Sequence, residues 1–93
     1  MAVNVKIPGA LRAEAGGAST VDVELAGGTL GQVLDVLRDR HPKLERRLRD
    51  EQGTLRRYVN IYVEGEECRR LSGLATEVAD GAEILVVPSV AGG

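Results

Sequence analysis

The chain has almost no aromatic residues: it contains no phenylalanine and no tryptophan, and its two tyrosines are Tyr58 and Tyr62. Its core must therefore be built from Val, Leu, Ile and Ala, which suits a small sheet with a covering helix. Two tyrosines offer little surface for stacking nucleic acid bases. The formal net charge of −2 is also opposite to what phosphate contacts require. We therefore set nucleic acid aside as a partner.

Cysteine is equally scarce. Cys68 is alone, so it can neither form an internal disulfide nor supply the thiolate set of a zinc or iron–sulfur site. No stretch resembles a signal peptide or reaches 18 consecutive apolar residues, and a single cysteine suits the reducing cytosol. We expect a cytoplasmic chain with no membrane span and no bound metal. Its 93 residues are enough for one domain that folds without disulfides or a bound metal.

Alternating apolar residues predict strands at residues 2–7, 19–25, 57–63 and 83–87. The first two are joined by a short Gly- and Ala-rich connection and read as a hairpin. Residues 64–67 are predicted to form a turn and residues 68–71 a short strand. Residues 74–83 read as a helical turn that ends in a tight turn at Asp80 and Gly81.

The most distinct helix begins after Thr29, which forms a T-x-x-Q capping box with Gln32. Apolar residues then recur along one helical face: Leu30, Val33, Leu34 and Leu37. Pro42 ends this helix, and a shorter helix is predicted through Leu44 and Leu48.

The order of these elements predicts an α+β fold of the β-grasp, ubiquitin-like type: a mixed sheet covered on one face by one main helix. Periodicity alone would also permit other small α+β layouts. We divide the chain into a β-grasp domain, residues 1–87, and a flexible C-terminal tail, residues 88–93.

The uncovered face of the sheet is a candidate docking surface. If Ile84 and Val86 face the helix, then Leu85 and Val87 must point to the open side, beside Tyr62. The other residues of that side are polar: Asn4, Lys6, Asp22, Glu24 and Asn60. An apolar patch in polar surroundings is typical of a docking surface. The alternative is a set of scattered exposed apolar side chains, which are normal on monomers.

The tail reads P-S-V-A-G-G, and Gly92 and Gly93 are its last residues. Fully extended, six residues reach about 20 Å. Glycines without Cβ atoms can pass through a narrow channel and adopt backbone angles that other residues disfavour. The tail is therefore predicted to thread into another protein through Val90, Ala91, Gly92 and Gly93.

Taken together, these pieces resemble the MoaD/ThiS family of ubiquitin-like sulfur carrier proteins. The resemblance rests on the tail PSVAGG, the ADGAEI turn, the segment VNIYVEGE and the helix TLGQVLDVL, and it covers essentially the whole chain. Within the family, the basic segment before RYVNIYV and the pattern GLAT…ADG are most similar to the actinobacterial carriers of the CysO type.

The resemblance implies that the chain is a protein co-substrate and not an enzyme. The carboxylate of Gly93 would be adenylated with ATP by a ubiquitin-activating-like enzyme and converted to a thiocarboxylate, and no cofactor would be bound to the chain itself. Val90, Ala91 and Gly92 would then lie in partner enzymes, with Leu85, Val87 and Tyr62 at the docking surface. The further implied partners are a pyridoxal-phosphate-dependent cysteine synthase and a JAMM-type zinc peptidase.

Other functions remain open from the sequence. The sulfur could go to molybdopterin, thiamine or thiosugar biosynthesis, or the chain could be a ubiquitin-like protein modifier. A third possibility is a binding subunit whose tail only occupies a site in a partner and takes part in no reaction. Cys68 and His41 are more simply explained by packing and by a helix end than by catalysis. The basic segment between Arg38 and Arg57 is either a solvated face or a guide for an acidic partner.

Overall fold

The computed structural model describes residues 2–25 and 28–88. The strands in these ranges are β1 (Ala2–Lys6), β2 (Thr20–Glu24), β3 (Gly28–Thr29), β4 (Val59–Val63), β5 (Glu66–Glu67), β6 (Glu77–Val78) and β7 (Glu83–Pro88). The α-helices there are α1 (Leu30–Arg40) and α2 (Pro42–Leu48), and short 3-10 segments cover Gly9–Ala15, Cys68–Arg70 and Gly73–Ala75.

The main sheet has the strand order β2-β1-β7-β4-β5. β1 and β2 form the predicted antiparallel hairpin, with Val3 opposite Val23. β7 is parallel to β1 and antiparallel to β4, so the sheet is mixed, as the β-grasp prediction requires. Because β7 is the central strand, its side chains lie in the middle of both faces of the sheet.

α1 begins where the T-x-x-Q pattern predicts. Thr29 Oγ1 accepts a hydrogen bond from the backbone N–H of Gln32 at 3.3 Å, and Gln32 Oε1 accepts one from the N–H of Thr29 at 2.8 Å. This reciprocal cap satisfies N–H groups that a first helical turn leaves without partners. α1 ends at Arg40, and Pro42 opens α2, a position where proline fits because its missing N–H is not needed there.

The core lies between α1 and one face of the sheet. The buried residues of α1 are Leu30, Val33, Leu34 and Leu37, and α2 adds Leu44 and Leu48. The sheet contributes mostly short branched side chains: Val3, Val5, Val21, Val23, Val59, Ile61, Val63, Ile84 and Val86. The expected aliphatic core is thus confirmed. It lies on one side of the sheet, which leaves the other side without a covering element among the described residues.

The predicted short strand at residues 68–71 is wrong. Cys68–Arg70 form a 3-10 segment, and the strand that pairs with β4 on the side away from β7 is β5, at residues predicted to be part of a turn. The cause is a tight reversal at Glu64 and Gly65, which both have positive φ angles, 50° and 84°. Two such residues reverse a chain within a two-residue hairpin loop, so pairing resumes at Glu66.

Residues 74–83 also depart from the predicted helical turn. The 3-10 segment Gly73–Ala75 covers only the beginning, and β6 then pairs with β3 in a separate two-stranded sheet. A two-residue strand is too short to show an alternating pattern. The tight turn at Asp80 and Gly81 is confirmed: Gly81 has a φ of 81°, and Asp80 Oδ1 accepts a hydrogen bond from the N–H of Ala2 at 2.9 Å.

Candidate functional site

β7 presents successive side chains to opposite faces of the sheet. Ile84 and Val86 point into the core and are fully buried, whereas Leu85 and Val87 point to the open side and remain 39% and 36% exposed. This orientation confirms the one predicted from the two-residue period of a strand. The central strand therefore supplies two apolar side chains to an otherwise polar face.

Neighbouring residues complete an apolar concavity around these two side chains. Tyr62 lies directly opposite Leu85 in the pairing of β4 with β7. Tyr62, Leu85 and Val87, together with Gly65 and Glu83, line a shallow depression, which we call the β7 patch. The three residues predicted to form a docking surface thus lie side by side.

Gly65 and Glu83 are members of the β7 patch that the sequence reasoning missed. The φ of 84° at Gly65 lies in the left-handed region that favours glycine, and the missing side chain opens one end of the depression. Glu83 reaches the same end because β7 begins beside the turn that follows β4: the carbonyl of Glu83 accepts a hydrogen bond from the N–H of Glu64 at 2.9 Å. The glycine at position 65, close after a predicted strand, was the available signal, since glycine supplies the positive φ angle that a tight hairpin turn needs.

The rim of the β7 patch is charged and internally paired. Lys6 Nζ lies 3.4 Å from Glu83 Oε2, and both side chains are about half exposed. On β1 and β2, the Asn4 amide donates a hydrogen bond to Asp22 Oδ1 at 2.8 Å. An apolar centre within a polar rim is the common organisation of a protein docking surface.

The patch adjoins the predicted tail. β7 continues to Pro88, one residue beyond the predicted end of the strand, and Pro88 lies opposite Val59. Leu85 and Val87 are therefore within three residues of Pro88, with which the motif P-S-V-A-G-G begins. The remaining predicted site residues lie outside the described residues, and their roles stay predictions: Val90, Ala91, Gly92 and Gly93. The same holds for the division between residues 1–87 and 88–93.

Cys68 is a packing residue. Its side chain is fully buried, and Sγ lies 3.6 Å from Glu67 Oε2. Burial raises the pKa of the thiol and the Glu67 carboxylate raises it further, while the smaller effect of Arg69 opposes them. A thiol that stays protonated at neutral pH is a poor nucleophile, so Cys68 does not belong to the candidate site.

His41 lies at the junction of α1 and α2. Its N–H donates to the carbonyl of Leu37 at 2.6 Å, and its carbonyl accepts from the N–H of Glu45 at 3.0 Å. It thus serves as the helix end that was expected. In the described part of the chain, no three histidine, cysteine or carboxylate side chains converge as metal ligands. Nor does any helix of residues 2–25 and 28–88 combine the length and apolar character needed to cross a bilayer.

The basic segment between Arg38 and Arg57 is not one uniform charged face. Arg49 is buried, with its guanidinium bonded to Glu45 on α2 and, at 2.8 Å, to Asp35 on α1. Burial alone would lower the pKa of Arg49, but the hydrogen bonds and charges of Asp35 and Glu45 outweigh it and the pKa is raised. This part of the segment joins the two helices and is unavailable to a partner.

The mixed sheet, its single covering helix layer and the open face together define a small ubiquitin-like β-grasp protein. The ThiS family model matches residues 5–93. The chain belongs to the ThiS family, which confirms the resemblance drawn from the sequence.

Relatives with known names agree with this assignment. The chain is 43% identical to the sulfur carrier protein CysO of Mycobacterium tuberculosis, over the whole length of both proteins. The crystal structure of the Amycolatopsis orientalis BexX/CysO complex contains a chain that is 40% identical and superposes with a TM-score of 0.85. The match covers 98% of this chain and 99% of that one. Small archaeal modifier protein 1 of Haloferax volcanii is 37% identical, over 87% of this chain and 90% of its own.

Proposed function

We propose that this protein is a sulfur carrier whose C-terminal carboxylate, on Gly93, is converted to a thiocarboxylate. The observation that carries the proposal is the position of the β7 patch, an exposed apolar surface on the strand that leads into P-S-V-A-G-G. A partner seated on Leu85, Val87 and Tyr62 would have the tail directed toward it. The full-length similarity to CysO supports the same reading.

The proposed chemistry follows from the properties of a carboxylate. An α-carboxyl group has a pKa of about 3.5 and is ionised at neutral pH, which makes it a poor electrophile. Attack of the Gly93 carboxylate on the α-phosphorus of ATP would form an acyl-adenylate and release pyrophosphate. Sulfide would then attack the acyl carbon and displace AMP, which leaves the thiocarboxylate. We assign ATP to the activating partner, because this chain shows no phosphate-binding glycine motif.

We propose cysteine biosynthesis in the cytoplasm as the destination of the sulfur. The thiocarboxylate sulfur would attack an aminoacrylate held by a pyridoxal-phosphate-dependent cysteine synthase, and a JAMM-type zinc peptidase would release the cysteine from the tail. Molybdopterin, thiamine and thiosugar biosynthesis are the alternative acceptors, since one carrier can serve several pathways. The enzymes encoded beside the gene for this chain distinguish these destinations.

The proposal is tested by measuring the intact mass of the protein by mass spectrometry after incubation with ATP, the ubiquitin-activating-like enzyme of the same organism and sulfide. The expected result is the mass change of one oxygen replaced by sulfur, which should be absent when ATP is omitted. The enzyme must first be shown to be active, by forming an acyl-adenylate from ATP and the C-terminal tail of another carrier. If the mass of this chain stays unchanged with such an enzyme, the proposal is overturned.

A second candidate function is protein modification, favoured by the similarity to small archaeal modifier protein 1. In that case the Gly93 carbonyl would be joined to lysine amines of target proteins. Cell lysates should then contain high-mass adducts that react with an antibody to this chain and that disappear when Gly93 is deleted. Lysates without such adducts would leave the carrier function as the better proposal.

A further inference from the structure

A second concavity is lined by Pro88, the residue that follows Val87 of the β7 patch. It is formed where the 3-10 segment Gly9–Ala15, α2 and the beginning of β4 meet. The lining residues that matter here are Ala10, Leu11, Arg46, Arg56, Tyr58 and Pro88. We call it the arginine groove. Because Pro88 lines it, the groove lies at the base of the predicted tail.

Two arginines give this groove a positive rim. Arg56 is held by its backbone, whose N–H donates to the carbonyl of Leu48, and by its Nε, which donates to the carbonyl of Arg46 at 2.9 Å. Within residues 2–25 and 28–88, no acceptor bonds the two terminal nitrogens of Arg56 or the guanidinium of Arg46. Arg47 also lines the groove, but it is paired with Glu14 at 3.3 Å. Arg46 and Arg56 therefore offer unused donors beside an apolar floor.

Tyr58 adds an aromatic ring to the same groove. Its side chain is 52% exposed, the highest exposure among the large apolar side chains of the described residues. The ring is therefore not explained by core packing, although the next residue, Val59, is buried. Tyrosine and arginine are the residue types most often found at the energetic centre of protein interfaces. Both types meet here, next to Pro88.

We propose that the arginine groove is a second docking point, which takes an acidic segment of the adenylating partner beside the entrance for the tail. This proposal rests on the proposed function, because it assumes a partner that receives the tail. A carboxylate of that segment would accept hydrogen bonds from Arg46 and Arg56, a geometry that guanidinium groups favour. Its neighbouring apolar atoms would cover the Tyr58 ring and Leu11.

The composition of the groove favours an acidic protein segment over a free phosphate. The surface of the groove is mostly apolar, because it is formed by Ala10, Leu11, Tyr58 and Pro88. A phosphate has no apolar atoms that could pack against this surface. A protein segment presents both a carboxylate and apolar side chains within a few ångströms. The groove also stands out against the whole chain, whose formal net charge is −2, so it is a local positive site and not part of a generally basic surface.

The two docking points would fix the orientation of the partner. The charges at the rim of the β7 patch are paired with each other, as Lys6 is with Glu83, whereas the arginine groove offers positive charge that is unpaired within the described residues. An acidic segment of the partner is therefore attracted to the groove and not to the patch, which favours one orientation over the reversed one. The tail would then enter its channel from a defined direction.

The test compares association rates with the ubiquitin-activating-like enzyme of the same organism, measured by stopped-flow at low and at high salt. Arg46→Glu should slow association about tenfold at low salt and flatten its salt dependence, because rim charges act mainly on encounter rates. Tyr58→Ala should instead raise the dissociation rate. Arg70→Glu is the matched control: Arg70 is also exposed, the substitution makes the same change in net charge, and Arg70 lines neither concavity. Thermal unfolding should show that all three variants are folded.

Three outcomes would overturn the inference. If Arg46→Glu associates like the wild type, the partner does not use the groove, while thiocarboxylation of the wild type would show that the proposed function still holds. If inorganic phosphate alone shifts the NMR signals of Arg46, Arg56 and Tyr58 at submillimolar concentration, the groove is an anion site and not a docking point. A wild-type chain that the enzyme neither binds nor adenylates would remove the proposed function, and the inference with it.

Discussion

Arg49 is a buried charge whose partners come from two helices. Its guanidinium contacts Glu45 one turn earlier on α2 and Asp35 on α1. The i, i+4 contact with Glu45 could be anticipated once α2 was predicted. The contact with Asp35 could not, because it depends on the angle at which α1 and α2 pack. The sequence alone therefore made Arg49 look like one more member of a solvated basic face.

We expect Arg49→Met to destabilise the fold by about 3 kcal/mol, because it leaves the Glu45 carboxylate buried without a partner. Arg38→Met is the control: Arg38 approaches the same Asp35 at 3.9 Å but is exposed, and such surface pairs contribute less than about 1 kcal/mol. Urea denaturation measures both. The double variant Arg49→Met with Glu45→Leu should recover most of the loss, and failure to recover it would show that Arg49 acts by something other than pairing Glu45.

Cys68 is expected to react slowly in the folded protein. Its raised pKa keeps the thiol protonated at pH 8, where an ordinary thiol with a pKa of about 8.5 is partly ionised. Labelling with an aromatic disulfide reagent should be at least about tenfold slower than for the chain unfolded in urea, and the rate should keep rising with pH above the ordinary thiol pKa, where the rate for the unfolded chain levels off. Labelling of the folded chain as fast as that of the unfolded chain at pH 8 would contradict the packing role of Cys68.

The strands and helices that could be predicted are those long enough to show a period. β1, β2, β4 and β7 alternate over five or more residues, and α1 combines an apolar stripe with a sequence-readable cap. β5 and β6 have two residues each, so they carry no period and are formed by what they pair with. β5 could still have been placed from the sequence. Gly65 was visible there as a turn residue, and a two-residue turn at Glu64 and Gly65 makes pairing resume at Glu66.

The candidate site was predictable as far as it depends on the alternating pattern of β7. Alternation placed Leu85 and Val87 on the open face, and the pairing register then brought Tyr62 opposite Leu85. The arginine groove was not predictable, because it joins three elements that are distant in the chain, around residues 10, 46 and 58. Such a site depends on tertiary packing and leaves no local pattern.

We expect Leu85→Asp to weaken binding to the activating enzyme at least about tenfold, because it places a charge at the centre of an apolar docking surface. The fold should tolerate the change, since Leu85 is 39% exposed. Leu71→Asp is the matched control: Leu71 is similarly exposed, at 43%, and lies outside the β7 patch. Isothermal titration calorimetry measures both variants. Equal affinity for the two variants would argue that the partner docks elsewhere.

For the molecule as a whole, the fold and the proposed chemistry are separate. The core of the described residues lies between the helices and one face of the sheet, and the proposed reacting group is a carboxylate at the end of the predicted tail. We expect substitutions in the tail to change activity without changing the free energy of unfolding. The β7 patch and the arginine groove would be the parts of the folded domain through which partners select this chain.

Adding one alanine after Gly93 should abolish thiocarboxylation, because the terminal carboxylate would then belong to a residue with a Cβ atom and lie about 3.5 Å further along the channel. The thermal unfolding midpoint should equal that of the wild type. Binding through the β7 patch should also be largely retained. If the chain with the added alanine is thiocarboxylated at the wild-type rate, activation does not depend on the position of the last carbonyl in the partner's channel.

The proposed function can be examined at its reacting atom by tandem mass spectrometry of the C-terminal peptide, after incubation of the chain with ATP, the activating enzyme and sulfide. We predict that one oxygen is replaced by sulfur at Gly93 in the wild type, and that the alanine-extended chain treated in the same way carries no such change. A wild-type peptide of unchanged mass, or sulfur found on Cys68 in place of Gly93, would contradict the assignment of this protein as a C-terminal sulfur carrier.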